Sequence, residues 1–277
     1  YKQPGFARRN SAPLPPSFLI PKFHRWRKKL QGAGMGGKKF AVLLCADDSE
    51  YVKKAYGGYF GVFVRMLGGE GEEWVLFRVT GGELPRDDEI GTYDGFVITG
   101  SCSDAHGHDA WIRDLLDLIT KLNSLKKKIL GICFGHQILC RALGGNSGRA
   151  KSGWDIGLTT VRLSQASEFA ASLRLPAQLR VIQVHRDEVV ELPAAAEVLG
   201  TSEKTAVEVF RYGDHVLGIQ GHPEYTGDIL RHLIDRLLHC RLISEAYWEE
   251  LKRGAGSWEP DRDHWRRLCV GFLKGGV

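Results

Sequence analysis

The sequence has no hydrophobic run long enough to cross a membrane, and its cysteines are few and scattered. No stretch of 18 consecutive apolar residues occurs in the 277 residues, so we expect no membrane-spanning segment. The six cysteines form no CxxC pair and show no regular spacing, which argues against a disulfide framework and against a structural zinc site. Free thiols are typical of a reducing compartment, and we therefore expect a cytoplasmic protein.

Acidic residues are absent from the first 37 positions, which contain eight lysines or arginines and five prolines. Without those eight basic residues, the formal net charge of +5 becomes −3 for residues 38–277. This composition predicts a basic, Pro-rich, disordered extension over 1–37, followed by one domain over 38–277. Three interpretations of the extension stay open: an organelle transit peptide, a basic arm for nucleic acid, and a segment upstream of a start at Met35. We favour the last, since Met35 stands just before the first predicted strand.

Short apolar runs alternate with segments of helical period along residues 38–277. Strands are predicted at 38–45, 74–80, 94–100 and 127–133, and helices at 51–67 and 109–125. β-rich segments follow at 158–163, 180–184, 206–213 and 215–221, the last two as a hairpin, before helices at 226–243 and 261–273. This order predicts an α/β fold with a single doubly wound, mostly parallel sheet, helices on both faces, and additional antiparallel strands in the C-terminal half.

The stretch KKILGICFGHQILC (127–140) places a cysteine between two glycines where a strand gives way to a helix. The G-x-C-x-G spacing around Cys133 is typical of a nucleophile elbow, in which small neighbours permit a strained turn. A helix that begins right after Cys133 directs free N–H groups at the thiol and favours the thiolate. The N–H of Phe134 would point to where an oxyanion forms. On this motif alone, a buried structural cysteine remains the alternative.

A thiolate nucleophile needs a base, and the base needs a residue that orients it. Among ten histidines, one stands out in GIQGHPEY (218–225), because an apolar strand ends at His222 and Glu224 follows two residues later. If the segment is extended, as Pro223 favours, the two side chains lie on one face. His222 would then reach the same edge of the sheet as Cys133.

Together the two motifs, GICFGHQ and QGHPE about 90 residues later, resemble the Cys-His-Glu triad of the class I glutamine amidotransferases. The resemblance extends from about residue 40 to 240, and the flavodoxin-like fold of that family is the fold it implies. Within the family, the chain is most similar to the stand-alone plant gamma-glutamyl peptidases in three segments: DSEYVKKAYGGYF (48–60), YDGFVITGS (93–101) and HRDEVVELP (185–193).

The resemblance implies roles for individual residues. Cys133 would be the nucleophile, His222 the base and Glu224 its orienter. The loop of Gly100 and Ser101 would supply the second oxyanion donor beside Phe134. Three further residues would hold the two ends of a glutamyl group, namely Gln137, His185 and Asp187. The chemistry implied needs no metal and no cofactor.

One departure from the family lies in the oxyanion loop, where Cys102 follows Ser101 and many relatives have a proline. A loop without this proline is less stiff. Cys102 is either a small residue that fits the loop or a redox partner of Cys133.

Three functions are compatible with the sequence. The first is hydrolysis of the gamma-glutamyl bond of glutathione-like peptides or their S-conjugates, with a small-molecule partner only. The second is a free-standing glutaminase subunit that delivers ammonia to a separate synthetase, for example of the GMP synthase type. The third is a non-enzymatic binding protein of the same fold. We favour the first. The chain has no GxxxxGK[ST] phosphate loop, which argues against an ATP-dependent synthetase that would receive ammonia. The presence of Cys133, His222 and Glu224 argues against the third, since a non-enzymatic relative would have no need of all three.

Overall fold

A computed structural model of the chain describes residues 37–164, 168–254 and 259–275. The predicted extension over 1–37, with its possible start at Met35, lies outside this part except for Gly37, and it stays a prediction. The described strands are β1 (Lys39–Leu44), β2 (Glu73–Arg78), β3 (Gly95–Ile98), β4 (Lys128–Ile132), β5 (Asn146–Arg149), β6 (Asp155–Leu163), β7 (Gln178–His185), β8 (Asp187–Glu191), β9 (Ala196–Thr201), β10 (Val209–Tyr212) and β11 (Val216–Ile219). The described helices are α1 (Glu50–Tyr56), α2 (Tyr59–Leu67), α3 (Asp87–Ile90), α4 (Ala110–Ser124), α5 (Phe134–Ala142), α6 (Glu168–Ser172), α7 (Gly227–His239), α8 (Glu245–Gly254) and α9 (Arg262–Lys274).

Nine of these strands form one mixed sheet in the order β2-β1-β3-β4-β11-β10-β9-β6-β7. The first five pair in parallel, and the remaining pairs, from β11–β10 to β6–β7, are antiparallel. Strands β5 and β8 form a separate antiparallel pair. The predicted α/β class is therefore confirmed, including the antiparallel strands of the C-terminal half.

Alternate residues of the central strands face opposite sides of the sheet, and each side is covered by helices. Phe40 and Val42 of β1 pack in a cluster with apolar residues of α2 and α9. Ala41 and Leu43 pack in a second cluster with residues of α3, α4 and α5. Because both faces are buried, the parallel strands are nearly continuous apolar runs, which is why they were predictable from the sequence.

The single helix predicted over 51–67 is wrong, because the structure has two helices there. The chain turns at Gly57 and Gly58, whose φ angles of 78° and 89° lie in the left-handed region. Glycine reaches this region without the steric cost of a Cβ atom. The carboxylate of Asp48 then accepts a hydrogen bond of 2.6 Å from the N–H of Tyr59 at the start of α2. Apolar periodicity runs through both helices and gave no sign of this break.

The prediction also missed α8, which lies between the helices predicted at 226–243 and 261–273. Its partly buried Tyr247, Trp248 and Leu251 pack on the third apolar cluster, which includes residues of α7. In the described parts of the chain, no helix combines the length and the apolar character needed to cross a membrane.

Candidate active site

Cys133 stands at the junction of β4 and α5 with a backbone conformation that is rare for a residue with a side chain. Its φ of 53° and ψ of −105° confirm the strained turn expected of a nucleophile elbow. The flanking glycines themselves do not have positive φ angles. A Cβ at Gly131 would stand 2.4 Å from the carbonyl oxygen of Gly135, and a Cβ at Gly135 would stand 2.3 Å from the carbonyl oxygen of Ile98. The glycines therefore permit a close approach of three backbone segments, and this approach holds the turn.

His222 and Glu224 follow β11, the strand next to β4 in the sheet. The Nδ1 atom of His222 donates a hydrogen bond of 2.8 Å to Oε1 of Glu224, and both side chains are buried. The N–H of His222 is bonded to the carbonyl of Ile182 at 2.7 Å, and the N–H of Tyr225 to the carbonyl of His222 at 3.3 Å. The chain thus turns between 222 and 225. The predicted contact is present, but a turn makes it and not the extended segment that was expected.

Three loops meet at the sulfur. A Cβ at Gly100, after β3, would stand 2.9 Å from Cε1 of His222 and 3.7 Å from Cβ of Cys133. Glycine is therefore the residue that fits between the histidine and the cysteine. The ring of Tyr225 stacks on the ring of His222 with a centroid distance of 4.1 Å and an interplanar angle of 1°, which fixes the plane of the imidazole.

Charge at this junction favours a protonated histidine. Burial lowers the pKa of His222, but the Glu224 carboxylate and the Cys133 sulfur together outweigh burial and raise this pKa to about 10. The structure therefore places an imidazole that is oriented by a carboxylate beside Cys133.

The candidate oxyanion donors lie on both sides of Cys133. Gly100 and Ser101 line the cavity in front of the sulfur, whereas the side chain of Phe134 is buried in the core against Trp111. Only the backbone N–H of Phe134, at the start of α5, is thus available to a ligand, as at any helix N-terminus. The hydroxyl of Thr99 donates a 3.0 Å hydrogen bond to the carbonyl of Gly100. Since the C=O and N–H of a trans peptide point in opposite directions, the N–H of Ser101 is directed away from Thr99.

The three residues predicted to hold a glutamyl group lie together beside the same cavity. Gln137 is buried, and its amide donates to the carbonyl of Asp187 at 2.8 Å and to Oε1 of Gln220 at 3.1 Å. Nδ1 of His185 donates to the same carbonyl at 3.0 Å. Burial lowers the pKa of His185 to about 4, so its imidazole is neutral at physiological pH. Gln137 is therefore not on the exposed face of its helix, and Asp187, at the start of β8, is buried and not exposed on a loop.

Sequence reasoning missed the charged residues around Asp187. Nη1 of Arg149 lies 2.6 Å from Oδ1 of Asp187, and Nη2 of Arg149 lies 3.1 Å from Oδ2 of Asp104. Nδ1 of His106 lies 3.6 Å from Oδ2 of Asp187. Asp104, His106 and Asp187 could together offer ligand atoms to a metal ion, but the Arg149 guanidinium already supplies the positive charge there. Arg149 is far from Asp104 in the sequence, and no local pattern indicates the contact.

One cavity of about 380 Å³ lies in front of Cys133, a volume that suits a small-molecule ligand. Of the nine predicted site residues, eight line this cavity, and Phe134 does not. The class-I glutamine amidotransferase family model matches residues 55–237. The chain belongs to the class-I glutamine amidotransferase family.

Several relatives align with most of this chain and with nearly all of their own length. Gamma-glutamyl peptidase 5 of Arabidopsis thaliana is 49% identical over 86% of this chain and 96% of its own length. Gamma-glutamyl peptidase 3 of the same plant is 47% identical over 86% of this chain and 97% of its own length. A glutamine amidotransferase structure from Thermotoga maritima aligns with a TM-score of 0.66 at 22% identity, covering 87% of this chain and 100% of that one. This likeness concerns the fold alone, and it agrees with the sheet described above.

Proposed function

We propose that the chain is a gamma-glutamyl peptidase, a cysteine hydrolase that releases glutamate from glutathione-like peptides or glutathione S-conjugates. The identity of 49% with gamma-glutamyl peptidase 5 over nearly its whole length is the observation that carries this function. The cavity that Cys133 faces supports it, since it offers a thiol, an oriented imidazole and buried polar groups to one small ligand.

In the proposed mechanism, Cys133 is the nucleophile, His222 the general acid and base, and Glu224 the residue that orients His222. The hydrogen bond of 2.8 Å between His222 and Glu224 supports these roles. So does the raised pKa of His222, because an imidazolium that keeps its proton at neutral pH is ready to protonate a leaving amine.

The reaction would take place in two steps. The Cys133 thiolate attacks the γ-carbonyl carbon, and the tetrahedral oxyanion accepts hydrogen bonds from the N–H groups of Phe134 and Ser101 beside Gly100. The intermediate collapses with cleavage of the C–N bond, while His222 gives its proton to the departing nitrogen. A water molecule then attacks the γ-glutamyl thioester and loses a proton to His222. Cleavage of the C–S bond releases glutamate and regenerates the thiolate.

Three residues would bind the glutamyl group, namely Gln137, His185 and Asp187. The side chains of Gln137 and His185 both donate to the carbonyl of Asp187, so this part of the cavity is preorganised before substrate arrives. The Cys133 thiolate is the proposed nucleophile, and the His222 imidazolium supplies the proposed proton. The proposed steps therefore use no metal and no cofactor.

We propose a small-molecule substrate without a protein partner and a cytoplasmic location. The stand-alone gamma-glutamyl peptidases of similar length support the first proposal. All six cysteines are free thiols in the structure, which suits a reducing compartment.

A side-by-side assay tests the function. The purified chain, without added protein, would receive glutathione, a glutathione S-conjugate or free glutamine, and glutamate release would be followed. We expect a preference for the peptides of more than about tenfold in kcat/KM, or roughly 1.4 kcal/mol of discrimination in the transition state. Cys133→Ala should abolish release from every substrate and leave the thermal unfolding transition in place.

Two results would contradict the proposal. Activity on glutamine only, or none until a synthetase is supplied, would indicate an ammonia-delivering subunit. Full activity of Cys133→Ala would show that the nucleophile is misassigned.

A further inference from the structure

The cavity extends beyond Cys133 along a surface that the proposed mechanism does not use. We name this surface the α7 wall, since most of its residues belong to α7 or contact its C-terminal end. It consists of Tyr59, Trp154, Leu233, Arg236, Leu237 and Leu242. The indole N–H of Trp154 donates to the carbonyl of Leu242 at 3.2 Å, which joins the loop before β6 to the loop after α7.

A continuous row of side chains leads from His222 to this wall. The ring of Tyr225 stacks on His222 at 4.1 Å, and the ring of Tyr59 lies 6.1 Å from that of Tyr225. Tyr59, Leu233 and Arg236 also line a second, smaller cavity together, so they are neighbours. Burial raises the pKa of Tyr59, and the positive charge of Arg236 opposes that rise.

The chemistry of the reaction decides which part of the substrate meets this row. The imidazole of His222 must touch the departing nitrogen to protonate it. The leaving group therefore begins at His222 and continues past Tyr225 and Tyr59, whereas the glutamyl group lies on the side of Gln137 and Asp187. Two residues beyond the scissile bond span about 7 Å in extended form. Tyr225 and Tyr59 follow His222 at successive ring separations of 4.1 Å and 6.1 Å, so a group of this length passes along both rings.

Arg236 is an uncompensated cation in this part of the cavity. Arg149 is bound to Asp104 and Asp187, and Glu224 is bound to His222. Arg236 has neither an ion pair nor a hydrogen bond to a carboxylate among the residues that the structure describes. An anionic ligand in this part of the cavity would therefore meet a guanidinium that no carboxylate of the described residues neutralises.

Two other charges of the lining do not change this conclusion. Arg186 also has no carboxylate partner in the described part, but it lies between β7 and β8, next to the residues assigned to the glutamyl group. Asp47 follows the end of β1, and the positive charge of Lys53 lies within electrostatic range of it.

We propose that Arg236 binds the C-terminal carboxylate of the leaving group, so that the enzyme selects γ-glutamyl peptides that end in a free carboxylate. A guanidinium matches a carboxylate by two parallel hydrogen bonds, which a neutral amide cannot reproduce. This assignment rests on the proposed function and adds a specificity-determining residue to it.

The experiment compares two substrates that differ only at this end, γ-Glu-Cys-Gly and its C-terminal amide. Glutamate release would be measured for the full chain, Arg236→Gln, Arg236→Lys and the control Arg231→Gln. Arg231 is exposed on the same helix and lies outside the cavity lining.

We expect the unaltered chain to prefer the acid by about tenfold in kcat/KM. In Arg236→Gln this preference should fall toward one, mainly through a rise in KM for the acid, as expected when uniform binding is removed. Arg236→Lys should keep part of the preference, and Arg231→Gln all of it.

Other results would contradict either the role of Arg236 or the peptidase function. Equal rates on acid and amide in the unaltered chain, or an unchanged preference in Arg236→Gln, would overturn the role of Arg236 and leave the peptidase function standing. No glutamate release from either peptide would overturn the peptidase function, and the role of Arg236 with it. Since Arg236 is exposed, equal thermal unfolding midpoints of the variants would exclude misfolding as the cause of any difference.

Discussion

At the scale of single residues, the site depends on a cysteine held in a strained conformation and a histidine held in a charged one. Strain of the kind seen at Cys133 costs of the order of 1–3 kcal/mol, and the surrounding backbone must maintain it. The charge on His222 is maintained against burial by the carboxylate of Glu224 and the sulfur of Cys133. The strain at Cys133 is costly for folding, whereas the raised pKa of His222 keeps a proton available for a departing amine, and perturbed groups of this kind are expected at an active site.

The state of His222 gives a prediction about pH. In Glu224→Gln the amide oxygen can still accept the Nδ1 hydrogen bond, but the negative charge that raises the pKa of His222 is gone. The unaltered enzyme should keep its imidazolium up to about pH 10, whereas the variant should lose it at lower pH. We therefore expect the basic limb of kcat/KM for glutathione to move to lower pH, with a larger loss at pH 9 than at pH 7. Measurement of glutamate release between pH 6 and 10 checks this. Two profiles of the same shape, differing in height alone, would contradict it.

At the scale of elements, the close approach of β3, β4 and α5 positions Cys133, the proposed nucleophile. A Cβ at Gly135 would stand 2.3 Å from the carbonyl oxygen of Ile98, and backbone atoms cannot move aside as a flexible side chain can. Gly135→Ala should therefore separate α5 from β3, destabilise the fold by ~1–3 kcal/mol and reduce kcat. Gly148→Ala, in β5, is the control, since its Cβ would meet a single atom at 4.0 Å. Urea unfolding and glutamate release would be measured for both variants. Equal stability of the two would show that the elbow tolerates a wider spacing than the structure implies.

The elements that the sequence revealed are those whose pattern is local. β1, β3 and β4 are apolar because both their faces are buried, and the motif around Cys133 is contained in a few residues. The break at Gly57 was missed, since the apolar period continues across it. β5 was missed because it is a short, polar segment whose structure depends on pairing with β8, about 40 residues away.

The candidate site shows the same division between local and distant information. The contact between His222 and Glu224 was predicted because the two residues are close in the sequence, although a turn makes it and not an extended segment. The salt bridge of Arg149 with Asp187 and the position of Arg236 near Tyr59 were not, since each joins segments that only the folded sheet brings together.

At the scale of the whole molecule, a buried polar network connects the antiparallel half of the sheet to the site. Nε2 of Gln183 in β7 donates to Oε2 of Glu208 at 2.8 Å, and the N–H of Gln220 donates to the carbonyl of Glu208 at 2.8 Å. Gln220 in turn accepts from the amide of Gln137 beside Cys133. Glu208 is fully buried, and its Oε1 atom has no hydrogen-bond partner in the described part of the chain. A carboxylate in this position is costly, and a neutral acid is favoured.

The free energy of unfolding should therefore depend on the proton of Glu208. Burial raises the pKa of this carboxyl to about 7, from 4.5 as its ordinary value. The folded state keeps a proton that the unfolded chain has lost, so this contribution to stability is full below pH 4.5 and disappears as pH rises through 7. The loss amounts to at most ~3 kcal/mol.

Glu208→Gln cannot ionise and keeps a carbonyl oxygen to accept from Gln183, so we expect it to match the unaltered chain at pH 5 and to exceed it in stability at pH 8. Urea unfolding at both pH values measures the difference, with Glu197→Gln, exposed on β9, as the control that should show none. If Glu208→Gln is instead equally destabilised at both pH values, the carboxyl group is needed for its shape and bonding, and its proton does not control the stability of the fold.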